Sequence, residues 1–248
     1  MIGVATCRDG DDVLLATRLG RCIRFQVTDD TLRVFAGRDS SGVRGIRLGK
    51  GDEVMSLSVL RHVEAENDER AAYLKQASAK RRGNGNGDED DTETVEPDEV
   101  AADVVLSAER IRELEEAEEI LLTVTNAGFG KRSSAYEYRV TGRGGQGIAN
   151  ITLAPRNGTA VAASFPVRQG DDVMLVTDAG RLIRVPSDQV RITGRQAMGV
   201  TLFRVDAGEH VTSVFPVVED TAEDPGENAA EDRKENGGEN GVEDGPNG

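Results

Sequence analysis

The chain has 248 residues, a hydrophobic fraction of 37% and a net charge of −15, with no tryptophan, a composition lean for one large core and sized for one or two domains. No apolar run is long enough to cross a membrane, and no basic start followed by an apolar stretch marks a signal peptide. Two cysteines outside any CxxC pair and two histidines far apart in sequence argue against a metal cluster, and the acid excess, taken as a whole, argues against a phosphate-rich partner.

Taken in chain order, the residues repeat. Gly10–Val13 reads Gly-Asp-Asp-Val and opens a first repeat over residues 1–63. Cys7 and Cys22 are expected there as small core fillers. Thr17–Gly20 has the form Thr-x-x-Gly and predicts a turn. Ile23, Arg24 and Phe25 then alternate, which puts the apolar pair on one sheet face and the arginine on the other. A Gly-Arg-x-x-x-Gly loop follows at Gly37, Arg38 and Gly42, then Val43, and Val54–Val59 predicts a further strand.

Residues 64–119 break the pattern. They hold 19 acidic and 7 basic residues and a Gly-Asn-Gly-Asn-Gly run. So polar a stretch buries too little apolar surface to offset its ordering entropy, and predicts a disordered, solvated insert. Helical character is expected at its ends, with Ser107 capping a short helix that carries Ile111 and Leu114 on one side.

The second repeat, 120–168, carries Thr125–Gly128 and the loop Gly142, Arg143, Gly147. The third, 169–218, carries Gly170–Val173, Thr177–Gly180, the alternation Ile183, Arg184, Val185, the loop Gly194, Arg195, Gly199, and a strand over Val211–Val217. Gly142 and Gly194 stand 52 residues apart, whereas Gly37 and Gly142 stand 105 apart because of the insert. Units of about 50 residues with four short strands and glycine turns predict an all-β fold of propeller-like blades, each a four-stranded antiparallel sheet. A blade cannot bury its faces alone, so neighbours must stack. Residues 219–248, with 11 acidic and 2 basic residues, predict a disordered acidic tail.

The insert and tail together account for −21, so the repeats carry +6. All but Lys50 and Lys131 of their basic residues are arginine, whose planar fork suits phosphate oxygens. Glycine loops with exposed N–H groups and an arginine at the mouth can bind phosphate, or can be plain turns between strands.

Several strings resemble one family, the C-terminal domain of DNA gyrase A subunits. The run from Gly37 through Val43, Arg44, Gly45, Ile46 and Arg47 to Leu48 is similar to that family's Gly-Arg-x-x-x-Gly-Val-Arg-Gly-Ile-Arg-Leu segment, and Asn126–Arg132 is similar to its Asn-Gly-x-Gly-Lys-Arg turn. Thr177–Arg184 and the Gly194 loop follow in the family's order. The resemblance implies a six-bladed β-pinwheel whose basic rim wraps duplex DNA, of which about three blades are expected here. It implies partners in the remainder of that A subunit, and in the B subunit of an A2B2 assembly, with ATP and magnesium used elsewhere in that assembly and no cofactor in this chain. A bacterial, cytoplasmic, nucleoid-associated setting goes with it, and the chain is expected to be a fragment. The family's Gln-Arg-Arg-Gly-Gly-Lys-Gly box is absent, Arg143–Gly147 being a degenerate relative, and so is its catalytic Arg-Tyr pair. Tyr73, Tyr136 and Tyr138 are assigned no chemistry, and no catalytic residue is expected.

The expected DNA contacts are Arg24, Arg38, Arg44, Arg47, Lys131, Arg132, Arg143, Arg184 and Arg195, presented by loops whose glycines are Gly37, Gly42, Gly142, Gly147, Gly194 and Gly199. Val43, Ile46 and Leu48 are expected to pack beneath Arg44 and Arg47. The alternatives are the C-terminal domain of the A subunit of topoisomerase IV and a propeller-like module that binds proteins and not DNA.

Overall fold

The first alternating stretch forms β1 (Asp12–Thr17) and β2 (Arg21–Gln26), an antiparallel hairpin in which Leu15 faces Ile23 and Val13 faces Phe25. This computed structural model describes residues 2–35, 37–83 and 104–217. The remaining strands are β3 (Val54–Leu60), β4 (Ile120–Thr125), β5 (Phe129–Ser134), β6 (Ile148–Ala149), β7 (Val161–Val167), β8 (Asp172–Thr177), β9 (Leu182–Pro186), β10 (Val200–Thr201) and β11 (Val211–Val217).

The Thr-x-x-Gly motif is the hairpin turn of every repeat. Thr17 Oγ1 accepts the Arg21 N–H at 3.2 Å, Thr125 Oγ1 the Phe129 N–H at 3.3 Å, and Thr177 Oγ1 the Arg181 N–H at 3.2 Å. The same threonine carbonyls accept the Gly20, Gly128 and Gly180 N–H groups. These glycines have φ of +77°, +76° and +80°, a left-handed conformation that a side chain would oppose.

Strands and repeats do not coincide. The sheets run β3-β1-β2-β6, β10-β5-β4-β7 and β11-β8-β9. Each repeat supplies three strands of its own sheet, and the Gly-Arg loops of the second and third carry the chain out to lend a fourth to the sheet before. Cys22 thus pairs with Ile148, and Gly130 with Val200. The lent strands are two residues long, enough to satisfy the edge of β2 and of β5. In the third sheet, β9 has no fourth strand beside it among the described residues.

The strands β3, β7 and β11 lie side by side and form the hub, with the lent strands outermost. Apolar clusters fill the spaces between blades. Leu14, Ala16, Cys22, Leu121, Ala135 and Tyr138 lie between the first two. Leu122, Val124, Val173, Leu175, Val185 and Val214 lie between the second and third.

Part of the insert folds, contrary to the expectation of a solvated loop. Helix α1 spans Asn67–Gly83 and α2 spans Ala108–Ala117. Ser107 caps α2, its Oγ accepting the Arg110 N–H at 3.1 Å, and Leu114 is fully buried. The polar composition hid a small cluster of Ala72, Tyr73, Leu106 and Leu114, which closes on Tyr136 of the second blade. The Tyr73 and Tyr136 rings meet edge to face, their centroids 5.4 Å apart. Such a pair contributes about 0.5–1.5 kcal/mol beyond the area it buries. The Gly83–Gly87 run lies largely, and the acidic tail entirely, outside the described residues.

The cysteines part ways: Cys22 is a core filler, and burial pushes its thiol up to about 12, but Cys7 is exposed. Tyr136 lies in a short 3-10 turn and not in a strand. Its hydroxyl donates to Leu114 O, that of Tyr138 donates to Asn150 Oδ1, and both rings are buried packing groups.

Candidate nucleic-acid interface

Eight of the nine expected contact residues fall into three groups, and Arg184 stands apart. Arg38, Arg44 and Arg47 are exposed on the first Gly-Arg loop and the segment after it. That segment lies against the second loop, the Arg47 N–H donating to Gly145 O at 2.8 Å and the Gly144 N–H to Gly45 O at 2.6 Å. Of the three residues expected to pack beneath it, Ile46 is buried, whereas Val43 and Leu48 are exposed.

The second group grips neighbouring blades. Arg24 is 4% exposed, so the face across from Ile23 and Phe25 is a junction and not an open polar face. Its guanidinium donates to Asp12 at 2.8 Å and to Ala135 O of the second blade at 2.7 Å. Arg132, at the matching place, donates to Val190 O at 2.7 Å and Asp188 at 2.8 Å in the third. The Gly-Arg loop arginines reach backwards. Arg143 donates to Thr31 O and Arg44 O, and Arg195 to Glu137 O and Ala149 O. Four arginines expected at phosphate therefore spend their donors on the protein's own oxygens. Arg184, the third blade's counterpart of Arg24, is half exposed and holds Asp172 at 2.5 Å.

Lys131 forms the third group alone. It is 1% exposed, and its ammonium donates to Ser133 Oγ at 2.8 Å and Arg195 O at 2.6 Å. Burial brings its pKa down to about 7, the sign expected when a cation loses water without a carboxylate at contact. It is a strut between blades and does not face solvent.

The loop glycines serve the exchange. A Cβ on Gly147 would fall on Cys22 O, and one on Gly199 on Gly130 O. Close approach of the lent strand therefore requires glycine there. Around Gly37, Gly42 and Gly142 the space is open.

Residues missed by the sequence reading include Arg204 and Arg156, both exposed on the chain leaving a lent strand. Arg204 stands five residues after Gly199, as Arg47 stands five after Gly42; counting from the glycine would have found it. Near the hub, a cleft of about 360 Å³ is lined by Arg18, Asn126, Asp178 and His210 among others. Arg18 is held by Glu53 at 2.5 Å and His210 Nδ1 lies 3.3 Å from Asp178, whereas Arg44, Arg47 and Arg204 stand exposed on the outer segments. Among the described residues no helix is long and apolar enough to cross a membrane, and no group of His, Cys, Asp or Glu is placed to hold a metal ion.

The family model described as DNA gyrase C-terminal domain, beta-propeller, matches residues 11–61, 119–165 and 171–217. The chain is 72% identical over 228 residues to the A subunit of DNA gyrase from Granulibacter bethesdensis, covering 90% of this chain and 24% of that protein. It is 44% identical over 221 residues to the A subunit of DNA gyrase from Rickettsia bellii, covering 89% and 23%. The chain thus spans about a quarter of the length of these relatives. Among solved structures, the C-terminal domain of DNA topoisomerase IV matches with a TM-score of 0.55 at 15% identity, over 84% of this chain and 47% of that one, a likeness of fold. The three matched stretches are the three blades, and the chain belongs to the DNA gyrase C-terminal domain family of β-propellers.

Proposed function

We propose that this chain is the DNA-wrapping part of the A subunit of a DNA gyrase. The observation that carries this reading is the exposure of Arg44, Arg47 and Arg204 on the outermost segments of a fold that matches the gyrase family across all its blades. A convex surface of this kind meets phosphates and not base edges, so binding follows charge and is indifferent to sequence. Wrapping of one hand biases the strand passage of a whole type II topoisomerase towards negative supercoils. ATP and magnesium belong to the rest of that assembly, an A2B2 complex that includes B subunits and works on the bacterial chromosome in the cytoplasm. The extent of the gyrase match, with relatives from two gyrases above 40% identity, favours this reading over topoisomerase IV and over a protein-binding propeller.

Nicked circular DNA ligated with the chain present, then stripped of protein, should show a changed linking number. Unchanged topology would count against wrapping. In duplex binding, replacing Arg44, Arg47 and Arg204 together by Ala should reduce the slope of log K against log salt by about three. Melting temperature should hardly move, because exposed charges contribute about 0–1 kcal/mol each. An unchanged slope would remove these arginines from the interface.

A further inference from the structure

The arginines of the second and third Gly-Arg loops each brace the loop of the repeat before. Arg143 donates from Nε to Thr31 O at 2.5 Å and from Nη1 to Arg44 O at 2.9 Å. Thr31 lies at the root of the first Gly-Arg loop and Arg44 at its exit, so one guanidinium bridges both ends of that loop. Arg195 does the same one repeat later, donating to Glu137 O and Ala149 O at the root and exit of the second loop. Both arginines are partly buried, and a planar fork of donors suits two acceptors held at a fixed spacing.

The two braces hold segments of different charge. At the exit of the second loop stand Ala149 and Thr152, whereas Arg44 and Arg47 take the same places at the exit of the first. Residues 37–44 are all exposed, so their order depends on how the ends are fastened. The root is pinned locally, because Thr31 Oγ1 donates to Gln26 O and its N–H to Thr28 O. The exit is fastened by the second loop. Besides the Arg143 bond to Arg44 O, the Gly144 N–H donates to Gly45 O and Gly145 O accepts the Arg47 N–H. Arg204 is fastened without such a brace, the Leu202 and Phe203 N–H groups donating to Gly128 O. Ordering a loose segment on binding opposes affinity, and a segment ordered beforehand escapes that cost.

We propose that Arg143 is a positioning residue for DNA binding, which presets Arg44 and Arg47 for phosphate by bridging Thr31 and Arg44 and does not itself touch DNA. The proposal rests on the reading of Arg44 and Arg47 as phosphate contacts. The phosphate-facing segment of one repeat is then set by the next. Arg195 builds the same brace on an uncharged segment and has a structural task alone. When the Arg143 brace is lost, Arg44 and Arg47 still reach phosphate once DNA has ordered them. The number of neutralised phosphates therefore stays the same, and affinity falls by one factor at every salt concentration.

Duplex titration of the purified chain across a range of salt is the test, run well below the melting temperature. Arg143→Ala should weaken binding about 3- to 10-fold at every salt, the scale of ordering one side chain on binding, with the parental slope. Arg195→Ala should lower the melting temperature as Arg143→Ala does, yet leave DNA affinity unchanged. Arg143→Lys, which keeps the charge without the fork, should be weakened too. In a chain already carrying Arg44→Ala and Arg47→Ala, Arg143→Ala should have no further effect. A slope lowered by about one in Arg143→Ala would make Arg143 a direct phosphate contact and overturn the proposal. Full affinity in Arg143→Lys, or an equal loss in Arg195→Ala, would overturn it as well. Loss of affinity on Arg44→Ala with Arg47→Ala but none on Arg143→Ala would overturn it and leave the phosphate contacts standing. No loss on either would remove both.

Discussion

The first and third blades carry the same cross-strand pair in opposite surroundings. Asp12 and Arg24 on β1 and β2 match Asp172 and Arg184 on β8 and β9. The first pair is 0% and 4% exposed beneath the second blade, with His62 also on Asp12 at 3.0 Å. The second is 21% and 50% exposed. One motif therefore serves as an internal clamp where a neighbouring blade covers it and as a half-exposed ion pair where, among the described residues, no blade does. The residue pattern on the strand is the same in both, and what differs is the next repeat. In a repeat protein, burial belongs to the position in the row and not to the motif.

Truncating the two arginines gives the largest test of this contrast. Arg24→Ala leaves the buried Asp12 carboxyl without its guanidinium partner and strips Ala135 O of its donor. It should cost about 3–5 kcal/mol, the penalty for breaking a buried pair. Arg184→Ala should cost about 0–1 kcal/mol. Equal losses in denaturant melts would show that the covered and open faces do not differ in the way described.

The loop arginines sharpen the contrast at a smaller scale. Arg143→Ala or Arg195→Ala alone removes a donor from two backbone oxygens that water partly reaches, at about 0.5–1.5 kcal/mol for each bond. The remaining folded protein should keep the parental salt slope for DNA. A lowered slope with unchanged stability would return these residues to the rim.

Lys131 gives the smallest and most selective effect. Its folded pKa of about 7 lies below its ordinary 10.5. Between these values the unfolded chain binds more protons, so stability rises with pH across that window and is lost as pH falls towards 7. The raised thiol of Cys22 opposes this above its ordinary value of 9.0, which makes pH 7–9 the clean interval. Lys131→Met should flatten the rise in melting temperature across that interval. A rise that persists would assign it to another group.

Much of the fold is legible in single residues. The Thr-x-x-Gly strings announced the hairpin turns because one threonine and one glycine settle a turn locally. Ser107 and Leu114 announced α2 for the same reason. The strand exchange was not legible. It joins Cys22 to Ile148 across the insert, and a two-residue strand has no period to read. The fate of the arginines was hidden as well, because Ile23-Arg24-Phe25 alternates in the same way whether its polar face meets water or another blade. Helical character was expected where α1 lies, but its packing was not legible, because its charged residues outnumber Ala72 and Tyr73, whose burial depends on Tyr136 of the next repeat. Arg38, Arg44 and Arg47 are exposed, whereas the burial of Lys131 and of the junction arginines could not be told from composition.

The lent strands also set the order in which the molecule can be made. Neither of the first two blades is complete when its own repeat has left the ribosome. The first sheet waits for Ile148 and Ala149, and the second for Val200 and Thr201. Chains grow at about 5–20 residues per second, so for several seconds each nascent sheet has an unfilled edge that a neighbouring chain on the same message could occupy. The insert lengthens that wait for the first blade, so the β2 edge stays open longer during synthesis than the β5 edge.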